Sequence, residues 1–344
     1  MKKITLSLLL FLSLSGFLLQ AQSFDSASAY LDFVSAEQQE ITKNMWRYTK
    51  AMAHDKSDRN VERKRQQLIK SVEKSIDKIE KADTYEGEEY KKQVLNNLTL
   101  YKNLLRQDYE KIIDMKAVAE QSYDSMEAYM NAQEMTNEKM TEAQQLYEEN
   151  FRKYAEAHNI NVIEDETDLG KKMKISGEVF DYYNKLYLMF FKVNFNEMYL
   201  MEALEKGDVA AIQQNANALK QSAEEGLRAI EETEKYKNDN SLIKSTEKAF
   251  KFYIDQVNNT IPEITSFLVL SEDFEKIKKA IDDTPQRKRT KEQIDAYNKK
   301  VNEVNKAGEN YNKINNDLYE NRQVVINQLN KTNEEFLARH IPND

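Results

Sequence analysis

The sequence predicts an all-α fold, an elongated helical bundle that consists of two related four-helix units in tandem. Apolar residues recur at spacings of three and four from 23 to 339, and no stretch alternates strictly over the length of a strand. Only 7 glycines and 3 prolines occur among 344 residues, too few for a turn-rich β fold. The second half of the chain also repeats the pattern of the first.

The first 21 residues have the features of a signal peptide. Lys2 and Lys3 precede an apolar stretch, Ile4–Leu19, and a small residue then offers a cleavage site after Ala21 or Gln22. A retained membrane anchor is the alternative, but the stretch is shorter than the roughly 20 residues that a span needs. The chain has no cysteine for a lipid anchor or a disulfide. We therefore expect export to the periplasm or cell surface of a Gram-negative bacterium, with no stable membrane anchor.

Residues 22–163 form the first predicted unit. Its predicted helices span 25–53, 57–82, 88–113 and 114–158. Asp114 can serve as the N-cap of the fourth helix, because a carboxylate accepts hydrogen bonds from free backbone N–H groups. Residues 159–167 interrupt the periodic pattern and mark the junction between the units.

Residues 164–344 form the second predicted unit. Its predicted helices span 168–207, 208–238, 241 to the region of Pro262, 272–283 and 290–340. Asp168 and Asp208 are candidate N-caps, and Gly207 is a suitable C-terminal stop. Pro262 should kink or end its helix. Thr290 and Gln293 form a capping-box pattern at the start of the last helix.

The internal repeat aligns the two units residue by residue. With Leu68 set against Leu219, the loop residue Tyr85 meets Tyr236, which helical periodicity does not require. At the ends of the two units, the aligned residues are about 30 positions farther apart than the pairs aligned earlier in the units. The second unit therefore contains an insertion, a short helix near 271–289. Chance similarity between amphipathic helices is the alternative explanation. Further aligned pairs are Ser71 with Ser222, Ile79 with Ile230, Leu98 with Phe250, Tyr101 with Tyr253, and His158 with His340.

Residues that could carry chemistry are sparse. His54, His158 and His340 lie near predicted helix ends, where the helix dipole favours a cation, and none has a metal-ligand spacing. The glycines are scattered, so no glycine-rich loop is available for a phosphate or a cofactor. A formal charge of -9 argues against a nucleic-acid binder. The sequence favours a non-enzymatic protein without cofactor or metal, and an enzyme of unrecognised type remains the alternative.

An aromatic segment over 180–199 is the densest feature of the chain. A helix that is apolar around most of its circumference is normally buried inside a bundle. The alternative is a groove in which tyrosine hydroxyls orient an apolar small ligand or a glycan, as in a periplasmic carrier. The candidate groove residues are Phe180, Tyr183, Tyr187, Phe191, Phe195 and Tyr199.

Four short segments carry a family resemblance: Ala119–Asp124, Gly177–Lys185, Asn240–Lys244 and Asp295–Lys299. Together they resemble an uncharacterised family of secreted all-helical surface proteins from leptospires and flavobacteria-like Gram-negative bacteria. The resemblance implies export and a surface or periplasmic setting. It implies no catalytic or binding residues.

These observations favour an exported interaction or structural protein, with an envelope or extracellular protein or a glycan as partner. The inserted segment ends in the basic run 287–289, which would suit an acidic or glycan-bearing partner, and a simple connector is the alternative reading. Gly308, Asn315 and Arg322 interrupt the seam that continues from Ile294 and Val301. We therefore expect a monomer rather than a coiled-coil dimer.

Overall fold

The computed structural model describes residues 22–55, 57–162 and 167–343. The predicted signal peptide and most of the predicted cleavage region lie outside the described residues, as does the junction segment 163–166. Within the described part the chain forms eight helices and no strand, and it is 87% helical. The predicted all-α fold is confirmed.

The eight helices form two sets of four, which we call the first and second bundles. The first bundle contains α1 (Ala27–His54), α2 (Asp58–Lys81), α3 (89–119) and α4 (Tyr123–Ala157). The second contains α5 (Asp168–Lys206), α6 (Val209–Glu231), α7 (241–282) and α8 (Lys291–His340). Single π-helical turns, Leu104–Asp108 and Gln256–Thr260, lie within α3 and α7, and a short 3₁₀ turn, Gln286–Lys288, precedes α8.

Each bundle encloses its own apolar core. Tyr30 and Leu68 are fully buried in the first core, and Phe250 and Phe336 are fully buried in the second. The two cores are joined through α1, because Trp46 packs into the core of the second bundle. A third, smaller cluster lies between the bundles, where the end of α3 and the start of α4 meet α5.

Two predicted N-caps are wrong, by eight residues at α4 and by one residue at α5. Asp114 lies inside α3, which continues to Ala119, and the N-cap of α4 is Ser122, whose hydroxyl accepts a hydrogen bond from the Ser125 N–H at 3.0 Å. Thr167 rather than Asp168 caps α5. In both places a hydroxyl satisfies a free N–H of the first turn, which an acidic residue already inside a helix cannot do.

The predicted short helix near 271–289 does not exist as a separate element. Pro262 does not end its helix, because the π-helical turn precedes it and the Ile261 N–H bonds the carbonyl of Gln256, five residues back. We attribute the continuity to this wider turn, which leaves room for the proline ring that would clash in a regular α-helix. The segment 271–282 is therefore the distal part of α7, and 283–290 is the connection to α8.

Three predicted helix ends are confirmed. Gly207 ends α5 with a φ of 64°, a left-handed conformation that favours glycine. The Asp208 carboxylate caps α6 by accepting from the Ala211 N–H at 3.0 Å. Thr290 and Gln293 form both hydrogen bonds of the capping box at the start of α8.

The two bundles share details beyond helix order. Their π-helical turns occupy positions that the repeat register aligns, 104–108 with 256–260. The ring of His158 lies against Tyr85 at the end of the first bundle, as that of His340 lies against Tyr236 in the second. These parallels favour the interpretation that the bundles are related, which remains an interpretation.

Candidate functional site

The predicted groove residues form a ladder of rings along α5. From Tyr183 the rings follow at one helical turn, at Tyr187, Phe191, Phe195 and Tyr199. Neighbouring ring centroids are 5.8, 6.2, 6.0 and 4.9 Å apart, and the first three pairs are stacked. The four-residue spacing places all five side chains on one face of the helix.

This face of α5 meets the first bundle. Phe191 is buried with Met126, and Tyr123 and Tyr129 pack against the same cluster. Phe180, the sixth predicted residue, packs against the second core, and so does Tyr183 at the start of the ladder.

The ladder is half-covered rather than sealed. Tyr199 at its end is 48% exposed, whereas burial raises the pKa of Tyr183 well above its ordinary value. Two shallow, open concavities lie elsewhere, on the outer faces of α7 (272–282) and α4 (145–156). The ladder therefore joins the two bundles, and its use as a ligand groove stays a prediction.

A buried ion pair crosses the second bundle. Glu197 on α5 is 0% exposed and receives two hydrogen bonds from Arg322 on α8, one at 2.9 Å between Nη2 and Oε2. The hydrogen bond to Glu197 raises the pKa of Arg322 although burial opposes the charge. Beside the pair, the Tyr253 hydroxyl donates to Asn194 at 2.7 Å. In the sequence Arg322 is visible only as an interruption of the seam that continues from Ile294 and Val301, and nothing in its spacing predicts this pair.

A second polar cluster closes the far end of the same bundle. The Nε2 atom of His340 lies 2.8 Å from Oδ2 of Asp239, and Arg339 pairs with the same carboxylate. Burial opposes the ionisation of Asp239, but hydrogen bonds from Ser241 and His340 outweigh it, so the pKa of Asp239 lies well below its ordinary value. His340 therefore has a carboxylate partner in addition to its place at a helix C-terminus.

The end of α7 and the start of α8 project from the second bundle as a pair of helices, which we call the arm and define as residues 269–310. Leu268 and Tyr311, at its base, are the last side chains that pack against the second core. Within the arm only Ile281 is buried. At 1.5 Å per residue the arm extends the bundle by roughly 20–30 Å.

A narrow aromatic seam holds the arm together. The rings of Phe267 and Tyr311 stack at 4.3 Å at the base, and those of Phe274 and Tyr297 lie 5.7 Å apart farther out. Its outer faces carry ion pairs within one helix, such as Lys276 with Glu272 at 2.9 Å. Exposed pairs of this kind stabilise a helix only slightly. Because breaking them costs little, the charged side chains of the arm can pair with a partner instead.

The tip of the arm, residues 284–291, is basic, and the exposed carboxylates Asp282, Asp283 and Glu292 border it. It contains four cations and no carboxylate: Arg287, Lys288, Arg289 and Lys291. Arg289 Nε donates to the Thr284 carbonyl at 2.9 Å and thereby closes the turn. Arg287, Lys288 and Lys291 form no ion pair within the described residues, and all three are exposed.

Neither a metal-ligand cluster nor a membrane-spanning helix occurs among the described residues. Across 22–55, 57–162 and 167–343, no three His, Asp or Glu side chains come together as metal ligands would. None of the described helices combines the length and apolar character that crossing a bilayer requires. Comparisons with family models, curated proteins and solved structures found no match.

Proposed function

We propose that this chain is an exported helical protein that acts by binding a partner at the periplasmic or outer surface of a Gram-negative envelope, without catalysis. The signal-peptide features of residues 1–21 support export. Lys2 and Lys3 are the only charges in that segment, so its removal changes the formal charge from -9 to -11.

The arm is the observation that carries the proposal. It adds length and charged surface to the second bundle while contributing almost nothing to either core, since Ile281 is its only buried residue. A surface element that the core does not need is where binding functions are commonly located. The corresponding connection in the first bundle is only residues 120–122, between α3 and α4.

The charge of the tip indicates the chemistry of the partner. Three exposed cations on a projecting turn, without an ion pair among the described residues and in a chain that is otherwise strongly acidic, favour an anionic partner surface. A carboxylate-rich protein or an acidic glycan is a suitable partner by this criterion.

Site-specific photo-crosslinking in the native host tests the proposal. A photoreactive residue at Lys288, in the tip, is compared with one at Lys74, an exposed residue on the side of α2. We expect discrete crosslinked products from Lys288 in the exported fraction and none from Lys74. Retention of the full-length chain in the cytoplasm, or identical products from both positions, would contradict the proposal.

A further inference from the structure

The end of the molecule opposite the arm is acidic. It includes the start of α1 and the connection between α2 and α3, and its exposed carboxylates are Asp25, Asp83, Glu86, Glu88 and Glu89. Among the described residues only Glu86 of this set forms an ion pair, with His158 at 3.5 Å. Lys81, Lys91 and Lys92 lie in the same segment; Lys81 pairs with Asp77 instead, and Lys91 donates to the Ala82 carbonyl. We call the five carboxylates the acidic end.

Contacts between the helices place the acidic end and the tip far apart. Along the first bundle, α1 leads away from the acidic end to Thr49, whose hydroxyl contacts the Met173 sulfur of α5. From there α5 continues in the same direction, because Phe191 meets Ala119 at the far end of α3. Tyr182 meets Tyr236, and farther along Asn194 meets Tyr253. Hence α7 runs parallel to α5.

The distance between the two ends follows from the helix lengths. Summed at 1.5 Å per residue along α1, α5 and α7, the separation is on the order of 100 Å. The tip of one molecule therefore cannot reach its own acidic end. A second molecule can supply that surface.

We infer that the tip of one molecule binds the acidic end of a second copy, so that molecules associate head to tail. The proposal rests on the proposed function of the arm as a binding element and names its partner. In this contact four cations of the tip would meet five carboxylates, and among the described residues Glu86 is the only member of either set that forms an ion pair. Charge complementarity of this kind selects the partner surface and the orientation of binding.

Two properties follow from this geometry. The contact joins two different surfaces, so each molecule keeps one free tip and one free acidic end, and open chains can grow. Because the contact is made by exposed charges, it should be weak and strongly weakened by salt. A dilute sample at high salt should then be monomeric.

Sedimentation velocity of the mature wild-type chain tests the inference without any substitution. At about 0.01 M salt, where the screening length is about 30 Å, we expect the sedimentation coefficient to rise with protein concentration. At about 1 M salt the screening length is about 3 Å, and the sedimentation coefficient should no longer rise with protein concentration. A wild-type chain that is monomeric at every concentration in low salt would overturn the inference, while the crosslinking test of the arm would be unaffected.

Charge reversal then locates both surfaces. Reversal of the tip (Arg287→Glu, Lys288→Glu, Lys291→Glu) or of the acidic end (Glu86→Lys, Glu88→Lys, Glu89→Lys) should each abolish the association. Combining both sets in one chain should restore it, because the charges are exchanged rather than removed. A control with the same charge change as the tip variant, on the exposed side of α2, should associate as the wild type does: Arg59→Glu, Lys70→Glu, Lys74→Glu. Persistence in either reversed variant, or no restoration in the combined one, would refute the inference.

Discussion

Gly226 on α6 is packed so closely that a single methyl group should disturb the second core. A Cβ atom built at this position would lie 2.5 Å from Cε2 of Phe250, a distance that real Cβ contacts do not show. Phe250 is fully buried, so its ring has little freedom to move away. Gly226→Ala therefore forces either the ring or the α6 backbone to shift.

The expected loss is the difference between two effects. Overpacking of a well-packed core costs typically about 1–3 kcal/mol, whereas replacing a mid-helix glycine by alanine gains about 1 kcal/mol. Because the contact is so short and the ring is enclosed, we expect a net loss of about 1–2 kcal/mol. This corresponds to a melting temperature lower by roughly 2–8 °C.

The repeat register suggests the compensating change. It aligns Gly226 with Ser75 and Phe250 with Leu98, so the first bundle has the larger residue on α2 and the smaller one on α3. Adding Phe250→Leu to Gly226→Ala should recover part of the lost stability, although Phe250→Leu alone should leave a cavity and destabilise. Such coupling is the sign of direct contact.

Chemical denaturation with matched controls measures these effects. Gly177 on α5 has no atom within 4 Å of a built Cβ, and Gly308 in the arm has only ordinary contacts with Phe267 at 3.7 Å. Gly177→Ala and Gly308→Ala should therefore stabilise by about 0.5–1 kcal/mol. If Gly226→Ala stabilised as much as these controls, the packing described for α6 against α7 would be wrong.

Three further substitutions test buried polar groups of the second bundle. Both side-chain polar atoms of Gln256 are buried without a hydrogen-bond partner. Gln256→Leu, which introduces the residue found at the aligned position Leu104, should therefore raise the free energy of unfolding by about 1–3 kcal/mol. A decrease of the same size would show that the amide is hydrogen-bonded. Arg322→Met leaves the Glu197 carboxylate buried without its cation and should lower the free energy of unfolding, measured by urea denaturation, by about 3–5 kcal/mol. Adding Glu197→Leu should recover most of this loss. An equal loss in the single and double variants would contradict the pairing. The folded-state pKa of Asp239 is depressed, so its stabilisation is fully present above the unfolded value of about 3.9 and is lost as the pH falls through the folded value. Asp239→Asn should therefore destabilise at pH 7, and the difference from wild type should shrink below about pH 4, whereas a constant difference would argue against the ionised carboxylate as its source.

Local signals were sufficient for most of the helices. Periodicity predicted α1 and α2 within two residues, and Thr290 with Gln293 predicted the start of α8, because a capping box is formed by neighbours in sequence. The α3–α4 boundary was wrong because Asp114 and Ser122 are both acceptable caps by composition. Only the packing of the last turn of α3 between the bundles decides between them.

Nonlocal features could not be predicted from one sequence. Glu197 and Arg322 are 125 residues apart, and neither stands out among the many charges of the chain. The arm was predicted only as an insertion, because Pro262 indicates a helix end and the π-helical turn that accommodates it has no clear sequence signal. For the ladder, the four-residue spacing predicted one face of α5, but it could not show that the face meets the first bundle rather than a ligand.

The most direct test of the central claim is the melting temperature of a chain without the arm. Leu268 and Tyr311 lie side by side at its base, where the neighbouring ring of Phe267 stacks on Tyr311, so a short Gly/Ser linker can replace residues 269–310. If the arm is an added binding element, the melting temperature should stay within about 3 °C of wild type, because neither core loses a buried side chain. A decrease of about 10 °C or more would show that the arm is part of the folded core and would contradict its assignment to binding.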